Sequence, residues 1–233
     1  IGDQANMPYG DRSREEIISL TRDSVNFLLS KDVKIIIFGC NTATAVAMST
    51  IQKEIPLQII GVVQSGALAA ARTTETKNVA VIGTKATVDS HSYLKEIQYR
   101  DPEIKVSEFA QPKLAPLAEE DPDEDIKNAV VSESLTPLKN ADYDTLVLGC
   151  THYPLLREEI VAVVGQDKKI VDPADQVAQY TYNVLRRDDL FAESTAPVKH
   201  DYYTTGEAKK FTEITRQWMN DDTIIGHHVD AED

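Results

Sequence analysis

The sequence is poor in cysteine, in basic residues and in long apolar runs. Its two cysteines among 233 residues are too few for the disulfide framework of a small secreted domain. No apolar run approaches the roughly 18 residues that a membrane-spanning helix needs, and no segment resembles a secretory signal peptide. Lys and Arg number 24 against 38 Asp and Glu, for a formal net charge of −14. This acidity disfavours nucleic acid as a partner, and we expect a cytoplasmic protein that binds neither nucleic acid nor membrane.

The ten glycines form none of the common phosphate-binding or hydrolase motifs. There is no G-x-G-x-x-G, no G-x-x-x-x-G-K-[ST] and no G-x-S-x-G, and the zinc-protease motif H-E-x-x-H is also absent. Dinucleotide-binding, P-loop, hydrolase and zinc-protease functions therefore lose their usual support. What remains is an ordinary globular composition with 42% hydrophobic residues, enough for a sizeable core.

Short apolar runs alternate with longer amphipathic stretches along the chain. The apolar runs predict strands at Val33–Phe38, Leu57–Val63, Val79–Gly83, Ile104–Phe109, Thr145–Gly149, Lys169–Val171 and Asp201–Thr204. The amphipathic stretches predict helices at Ser13–Leu29, Thr42–Lys53, Ser65–Arg72, Thr87–Tyr99, Asp123–Leu138, Leu155–Val164, Asp175–Arg187 and Glu207–Trp218. Ser13 and Glu16 have the spacing of a capping box at the first helix. The alternation predicts an α/β fold with mainly parallel sheets.

An internal echo links the two cysteines. Residues 33–40 read VKIIIFGC and precede NTAT, and residues 144–150 read DTLVLGC and precede THYP. Each is a buried type of strand that ends in Gly-Cys before a helix. The echo indicates two similar α/β halves, each with one cysteine at the carboxyl end of a parallel strand. Ligands of open α/β sheets bind at that edge.

Both sulfurs are expected to lie near a helix N-terminus. Thr42 or Thr44 can cap the helix after Cys40, and Pro154 suits the first turn of the helix after Cys150. The helix macrodipole would lower each thiol pKa from about 8.5 by at most about 1.5 units. Either group could then exist as thiol or thiolate. Such a pair suits a reaction that removes a proton from one face of a carbon and returns one to the other.

Other uses of the cysteines stay open on this evidence. A lone cysteine at a strand end is most often an inert small hydrophobic residue. A disulfide requires Cα atoms within about 7 Å, which cysteines on separate halves of a cleft would often exceed. A zinc or redox site built from Cys40, Cys150 and His152 lacks the closely spaced ligand pairs of structural zinc sites.

Polar and turn residues cluster near the same strand ends. Backbone N–H groups at strand-to-helix turns suit a small carboxylate, which would let an acidic protein hold an anionic ligand. The candidate binding residues are Pro8, Tyr9, Gly10, Asn41, Thr42, Thr84 and Thr151. Helix capping is the alternative role for the threonines, and a structural hydrogen bond is the alternative for His152.

Five stretches together resemble the glutamate racemases of the aspartate/glutamate racemase superfamily. They are GDQANMPYG (2–10), GCNTATAVA (39–47), GVVQSGALAA (61–70), VIGT (81–84) and LGCTHYPLLR (148–157). The resemblance implies two α/β domains facing each other across the active site, here 1–63 plus 173–233 and 64–172. It also implies a homodimer that interconverts L- and D-glutamate without a cofactor or metal. The D-glutamate would supply peptidoglycan synthesis, and with it cell wall biogenesis and cell shape.

The resemblance also assigns roles residue by residue. Cys40 and Cys150 would be the acid/base pair on opposite faces of Cα, the first serving the D-enantiomer and the second the L-enantiomer. His152 would assist Cys150, and Glu119 matches, more loosely, a carboxylate implicated in some members. The alternative for Glu119 is a solvated charge run over 119–125. The substrate would be held by Asn41, Thr42 and Thr151, with Tyr9 and Gly10 beside it.

One part of the family pattern has no match in this sequence. The family carries an Asp-Ser-Gly-rich loop after its first strand, upstream of the PYG turn, whereas this sequence opens at Ile1. We therefore expect that further residues precede Ile1. Two alternatives stay open: a catalytically weakened carboxylate-binding protein, and a racemase of aspartate, hydantoin or a related compound on the same scaffold.

Overall fold

The computed structural model describes residues 1–193, 195 and 197–230 as alternating helices and strands. Its α-helices are α1 (Arg14–Leu29), α2 (Asn41–Val46), α3 (Met48–Ile51), α4 (Val62–Thr73), α5 (Lys85–Asp89), α6 (Ser92–Arg100), α7 (Leu114–Glu120), α8 (Glu124–Ser134), α9 (Arg157–Val164), α10 (Pro173–Arg187) and α11 (Ala208–Met219). Its strands are β1 (Ile36–Phe38), β2 (Ile59–Gly61), β3 (Asn78–Gly83), β4 (Lys105–Ala110), β5 (Thr145–Gly149), β6 (Lys169–Val171), β7 (Tyr202–Thr204) and β8 (Gly226–His228). All strand pairs in the described part of the chain are parallel, which confirms the predicted α/β class.

A four-stranded sheet in the order β4-β3-β5-β6 carries the second half of the echo. The side chains of β3 and β5 are almost all buried, because helices cover both faces of a parallel sheet. The register places Gly83 opposite Gly149. Thr84 and Cys150 therefore leave the sheet side by side at its carboxyl edge.

Two smaller parallel sheets carry the rest. In β1–β2 the register places Phe38 opposite Gly61, so that Cys40 lies just beyond the carboxyl end of β1. In β7–β8, Thr204 also forms a bridge to Gly2, which ties the first residues of the chain to this sheet.

The division into domains at 63/64 and 172/173 remains a prediction. The helices that begin at or near these points, α4 and α10, pack against each other. Residues 194, 196 and 231–233 of the first predicted domain lie outside the described residues.

Local sequence signals place most element starts within about three residues of the observed ones. Helix α1 begins with the predicted capping box: Glu16 N donates to Ser13 Oγ at 3.2 Å, and Ser13 N donates to Glu16 Oε2 at 2.9 Å. Its buried residues include Ile17 and Val25, on the predicted apolar face. Pro154 lies in the first turn of its helix, as predicted, although that turn is a 3₁₀ helix.

Other boundaries differ from the prediction. The single helix predicted at Thr42–Lys53 is α2 and α3, which meet at Ala47. The helix predicted at Thr87–Tyr99 is divided into α5 and α6 by His91, whose φ of 52° interrupts the helical backbone.

Helix α7 and strand β8 were not predicted. Pro116 and the neighbouring acidic residues hide the pattern of α7, although its first turn accepts a proline. Strand β8 reads Gly-His-His and has no apolar alternation. No helix in the described ranges is both long and apolar enough to cross a bilayer.

Candidate active site

Cys40 lies at the start of α2 and is itself the N-cap residue. Ala43 N donates to Cys40 Sγ at 3.5 Å, so the thiol takes the place that Thr42 or Thr44 was predicted to fill. Both threonines lie inside the helix, where Thr44 Oγ1 donates to Cys40 O at 2.8 Å. The sulfur is near a helix N-terminus as expected, but its side chain makes the cap.

The surroundings of Cys40 act on its thiol in opposite directions. The residue is exposed at the surface, yet protein atoms surround it closely, and their exclusion of water raises the pKa of the thiol. Hydrogen bonds from Ala43 and Thr42 to the sulfur lower the pKa and partly offset that rise. These donors favour the thiolate once it forms.

Cys150 lies in a more secluded position at the carboxyl end of β5. Only 7% of the residue is exposed, and burial raises the pKa of its thiol to about 12, although the backbone amides of His152 and Tyr153 donate to the sulfur and lower it. The predicted lowering of the thiol pKa is therefore wrong for both cysteines. A short helix end contributes at most about 2 kcal/mol, which loss of solvation can exceed.

A relay of side chains leads away from Cys150. The Cys150 Sγ atom lies 3.8 Å from His152 Nδ1, and His152 Nε2 lies 2.7 Å from Glu119 Oε1. A carboxylate only accepts hydrogen bonds, so a neutral His152 bonded to Glu119 must carry its hydrogen on Nε2. The Nδ1 lone pair then faces the thiol.

Glu119 belongs to this relay and not to a solvated charge run. It lies in the last turn of α7, and 24% of its side chain is exposed. The hydrogen bond from His152 lowers the pKa of the Glu119 carboxyl against the effect of burial, and the positive charges of Lys210 and of a protonated His152 lower it further. Glu119 is therefore ionised at neutral pH.

Tyr9 provides the corresponding neighbour of Cys40. Its hydroxyl donates to Asp3 Oδ2 at 2.5 Å, and Thr205 Oγ1 donates to Asp3 Oδ1 at 2.5 Å. Burial and the hydrogen bond to Asp3 raise the pKa of Tyr9 far above its usual range, and the nearby Cys40 adds to the rise. Tyr9 therefore stays protonated beside Cys40.

The candidate substrate-binding residues divide into buried and accessible groups. Asn41 and Thr42 are buried: Asn41 Oδ1 accepts from Tyr93 Oη at 2.6 Å, and Thr42 Oγ1 lies 2.9 Å from Thr84 Oγ1. Their side chains join α2 to residues of the four-stranded sheet and its helices. Thr151 is exposed.

The PYG turn lies against the same threonine. A Cβ atom built on Gly10 would lie 2.9 Å from Thr84 Cβ, so the turn approaches Thr84 as closely as glycine permits. Pro8 is exposed, and Tyr9 and Gly10 are half-buried. Thr84 thus contacts both the turn and α2.

Both cysteines are free thiols. The charge of a Cys40 thiolate raises the pKa of Cys150, so the two sulfurs are close enough for electrostatic interaction. The disulfide alternative has no support in this arrangement. Among the described residues, no group of three or more His, Cys, Asp and Glu side chains is placed to hold a metal ion.

Sequence reasoning missed three residues at the site. Asp3 was hidden because its contacts come from Thr205 and Tyr9, which only folding brings to it. Trp218 packs edge-to-face with His152, with ring centroids 5.9 Å apart, and Lys210 approaches Glu119. Both lie on α11, and nothing in their spacing from residue 152 indicates contact.

The sequence is similar to proteins of a known family. The sequence profile of the family described as Asp/Glu/Hydantoin racemase matches residues 3–181. A glutamate racemase from Lactobacillus johnsonii is 98% identical over 233 residues, which are 100% of this chain and 88% of that protein.

Two solved structures have the same fold. A glutamate racemase isoform from Bacillus anthracis superimposes with a TM-score of 0.94 at 35% identity, over 99% of this chain and 86% of that one. A glutamate racemase from Francisella tularensis, solved in complex with D-glutamate, has a TM-score of 0.91 at 28% identity, with coverage of 99% and 86%.

Proposed function

The chain belongs to the Asp/Glu/hydantoin racemase family and is an enzyme that racemises glutamate, and we propose that it moves the Cα proton between two thiols, Cys40 and Cys150. The observation that carries this mechanism is that two free thiols lie just beyond the carboxyl ends of β1 and β5. A substrate lying between them would present one face of Cα to each sulfur.

The reaction needs one proton acceptor and one proton donor at a time. The thiolate on one side takes the proton from Cα, and the electron pair of that C–H bond stays on Cα as a carbanion. The thiol on the other side then gives its proton to the opposite face. One C–H bond breaks and one forms, no group is oxidised or reduced, and the two sulfurs exchange protonation states.

Each sulfur would reach its thiolate form by a different route. A buried thiol with a pKa of about 12 is almost entirely protonated at neutral pH, so Cys150 needs a base at the moment of reaction. His152 Nδ1 is in place to take that proton, while Glu119 stabilises the resulting imidazolium. Within the described part of the chain, the hydrogen-bond partners of Cys40 include no such base, and its thiolate relies on amide and hydroxyl donors from Ala43 and Thr42.

The binding of glutamate by this site is also part of the proposal. The half-buried backbone at Tyr9 and Gly10 and the exposed Thr151 lie at the accessible edge of the site. The buried Asn41 and Thr42 would act mainly by fixing the walls, since their side chains already bond to Tyr93 and Thr84.

Three further expectations belong with this function. The D-glutamate formed would supply peptidoglycan synthesis, and the enzyme would act in the cytoplasm as a homodimer. Light scattering of the purified chain tests the dimer: a mass of one chain would contradict it.

The decisive experiment follows isotope transfer in D₂O. Each enantiomer of glutamate is incubated with the full chain, and deuterium at Cα is measured at low conversion. A thiol carries a single proton that exchanges with solvent, so we expect one deuterium in the product and almost none in the remaining substrate. Substrate protons recovered in the product would point to one shared base and contradict the mechanism.

The cysteine variants test the assignment of residues. Cys40→Ala and Cys150→Ala should each lower kcat by at least about 10³-fold, since each removes an acid/base group. Thermal unfolding of both variants serves as the control for folding. Full racemisation by either variant would overturn the proposal, and glutamate binding without any exchange in the wild type would identify a carboxylate-binding protein instead.

A further inference from the structure

Helix α11 is fixed on one side by the small sheet at the chain ends. Phe211 fits against two glycines: a Cβ atom built on Gly226 would lie 2.5 Å from its ring, and one built on Gly2 would lie 3.2 Å from it. Gly226 N donates to Thr212 Oγ1 at 2.9 Å, and Arg216 Nε donates to Ile224 O at 2.8 Å. These contacts hold the helix in place independently of the site.

The same helix reaches the relay at two points. The Trp218 and His152 rings meet edge-to-face, with centroids 5.9 Å apart and planes at 86°. Two turns earlier, Lys210 lies close enough to Glu119 for the two charges to interact. An anchored helix therefore contacts His152 through Trp218 and brings the charge of Lys210 near Glu119.

The relay needs an external support of this kind. The separation of 3.8 Å between Cys150 Sγ and His152 Nδ1 is long, so a small rotation of the imidazole would break the contact. Glu119 fixes only the far nitrogen of the ring. An edge-to-face aromatic contact is strong enough to shift an orientational equilibrium by about 2- to 12-fold.

We propose that Trp218, together with Lys210, is a positioning residue for His152, so that α11 holds the acid/base relay on the Cys150 face of the site. This inference rests on the proposed two-thiol mechanism. Trp218 is 42% exposed and its ring contacts the imidazole of His152, so in this proposal it acts through the imidazole and not on the substrate.

The proposal predicts an effect that is confined to one proton transfer. Because the two enantiomers have equal free energies, Trp218→Ala must lower kcat/KM equally in both directions. Substrate isotope effects separate the two steps. With glutamate deuterated at Cα, slowing the Cys150 step raises the isotope effect for the enantiomer that Cys150 deprotonates. It lowers the effect for the other enantiomer, because removal of its deuteron by Cys40 becomes more reversible.

The experiment compares four variants with the wild-type chain. Trp218→Ala is expected to lower kcat by about 10-fold, to raise the isotope effect for one enantiomer and to lower it for the other. Trp218→Phe keeps an aromatic ring edge and should retain most of the activity. Lys210→Met should change the two isotope effects in the same directions as Trp218→Ala, but by smaller amounts. Met219→Ala, an exposed neighbour on α11, is the matched control and should change neither quantity.

A second readout does not depend on turnover. Trp218 is the only tryptophan of the sequence, so its fluorescence reports this contact directly. Because the imidazole of His152 lies against the indole ring, we expect His152→Asn to change the emission of Trp218 at a fixed pH. His91→Asn should leave the emission unchanged, since His91 pairs with Glu108.

The outcomes separate the two proposals. The positioning role would be overturned if kcat fell while the isotope effects of the two enantiomers changed equally, or if His152→Asn left the emission of Trp218 unchanged. A wild-type chain that leaves the Cα proton in place would overturn the proposed mechanism, and the fluorescence measurement would still decide whether α11 holds His152.

Discussion

At the residue scale, the two cysteines occur in the same local motif but lie in different environments. Cys40 is exposed and takes hydrogen bonds from the first turn of α2, whereas Cys150 is buried and faces an imidazole. Exclusion of water raises the pKa of both thiols, but the groups that lower the pKa again differ between the two. The chemistry of each thiol therefore depends on what folding brings beside it.

Glu119→Gln tests the relay behind Cys150. We expect kcat to fall by on the order of 10²-fold, because an amide can present either its oxygen or its nitrogen to His152 Nε2 and no longer fixes the tautomer. The matched control is Glu120→Gln, which alters an exposed neighbour on α7. Racemisation of both enantiomers is followed by polarimetry, and equal activity of the two variants would contradict the relay.

The pH dependence of the same pair has a defined sign. Because the pKa of Glu119 is lowered in the folded protein, its carboxylate is present at neutral pH and is lost only as the pH falls through that lowered value. The contribution of Glu119 to activity should therefore persist down to about pH 4, the usual range of a free Glu. Below that range, the ratio of wild-type to Glu119→Gln activity should decrease.

At the element scale, the two Gly-Cys strand ends differ in the space around the glycine. A Cβ atom built on Gly149 would lie 2.6 Å from Ile82 O in the neighbouring strand. One built on Gly39 would have no atom of another described residue within 4 Å, apart from its two neighbours in the chain. Glycine is therefore required sterically on β5, where strands pack on both sides, but not after β1. The sequence echo hides this difference.

Alanine substitutions at these glycines form a matched pair. Gly149→Ala should destabilise the protein by about 1–3 kcal/mol, because the backbone of β3 must move, and should lower kcat by displacing Cys150. Gly39→Ala should change stability by less than about 0.5 kcal/mol. Urea unfolding and racemisation assays of both variants check this, and equal destabilisation would contradict the packing argument.

At the scale of the whole molecule, the carboxylate of Asp144 joins the end of α4 to the four-stranded sheet. Asp144, just before β5, accepts hydrogen bonds from Thr74 Oγ1 at 2.6 Å, Glu75 N at 2.6 Å and Thr76 N at 2.8 Å. Partial burial raises its pKa, but these bonds and one from Thr145 lower it well below the usual range of Asp. The link matters for the fold because it ties the end of α4 to the strand that leads to Cys150.

Asp144→Asn should destabilise the protein in a pH-dependent manner. At pH 7 we expect a loss of about 1–3 kcal/mol, because charge-assisted hydrogen bonds become neutral ones. A lowered carboxyl pKa stabilises the folded state above the unfolded pKa, about 3.9 for Asp, so the difference from wild type should shrink below about pH 4.

The control for this variant is Asp142→Asn, which removes the same charge from an exposed residue with one hydrogen bond of 3.3 Å from Asn78. It should change stability by less than about 0.5 kcal/mol. Urea unfolding at several pH values measures both. A deficit for Asp144→Asn that stayed constant down to low pH would refute the role of the charge.

Residue order alone was enough to predict the features that depend on nearest neighbours and on short periods. Apolar runs located β3, β5 and β6 closely, the Ser13–Glu16 spacing located the start of α1, and the repeated Gly-Cys motif identified both thiols. The alternation of strands with helices along the chain also predicted the parallel α/β class. These features rest on local geometry, which residue order specifies directly.

Features that depend on groups distant in the chain became visible only in the folded protein. The raised pKa of the thiols arises from burial, Glu119 meets His152 across 33 residues, and α11 brings Trp218 and Lys210 to that pair. Solvent exclusion and packing are sums over the whole fold, so no local pattern encodes them. For the same reason β8, which has no apolar alternation, emerged only through its pairing with β7.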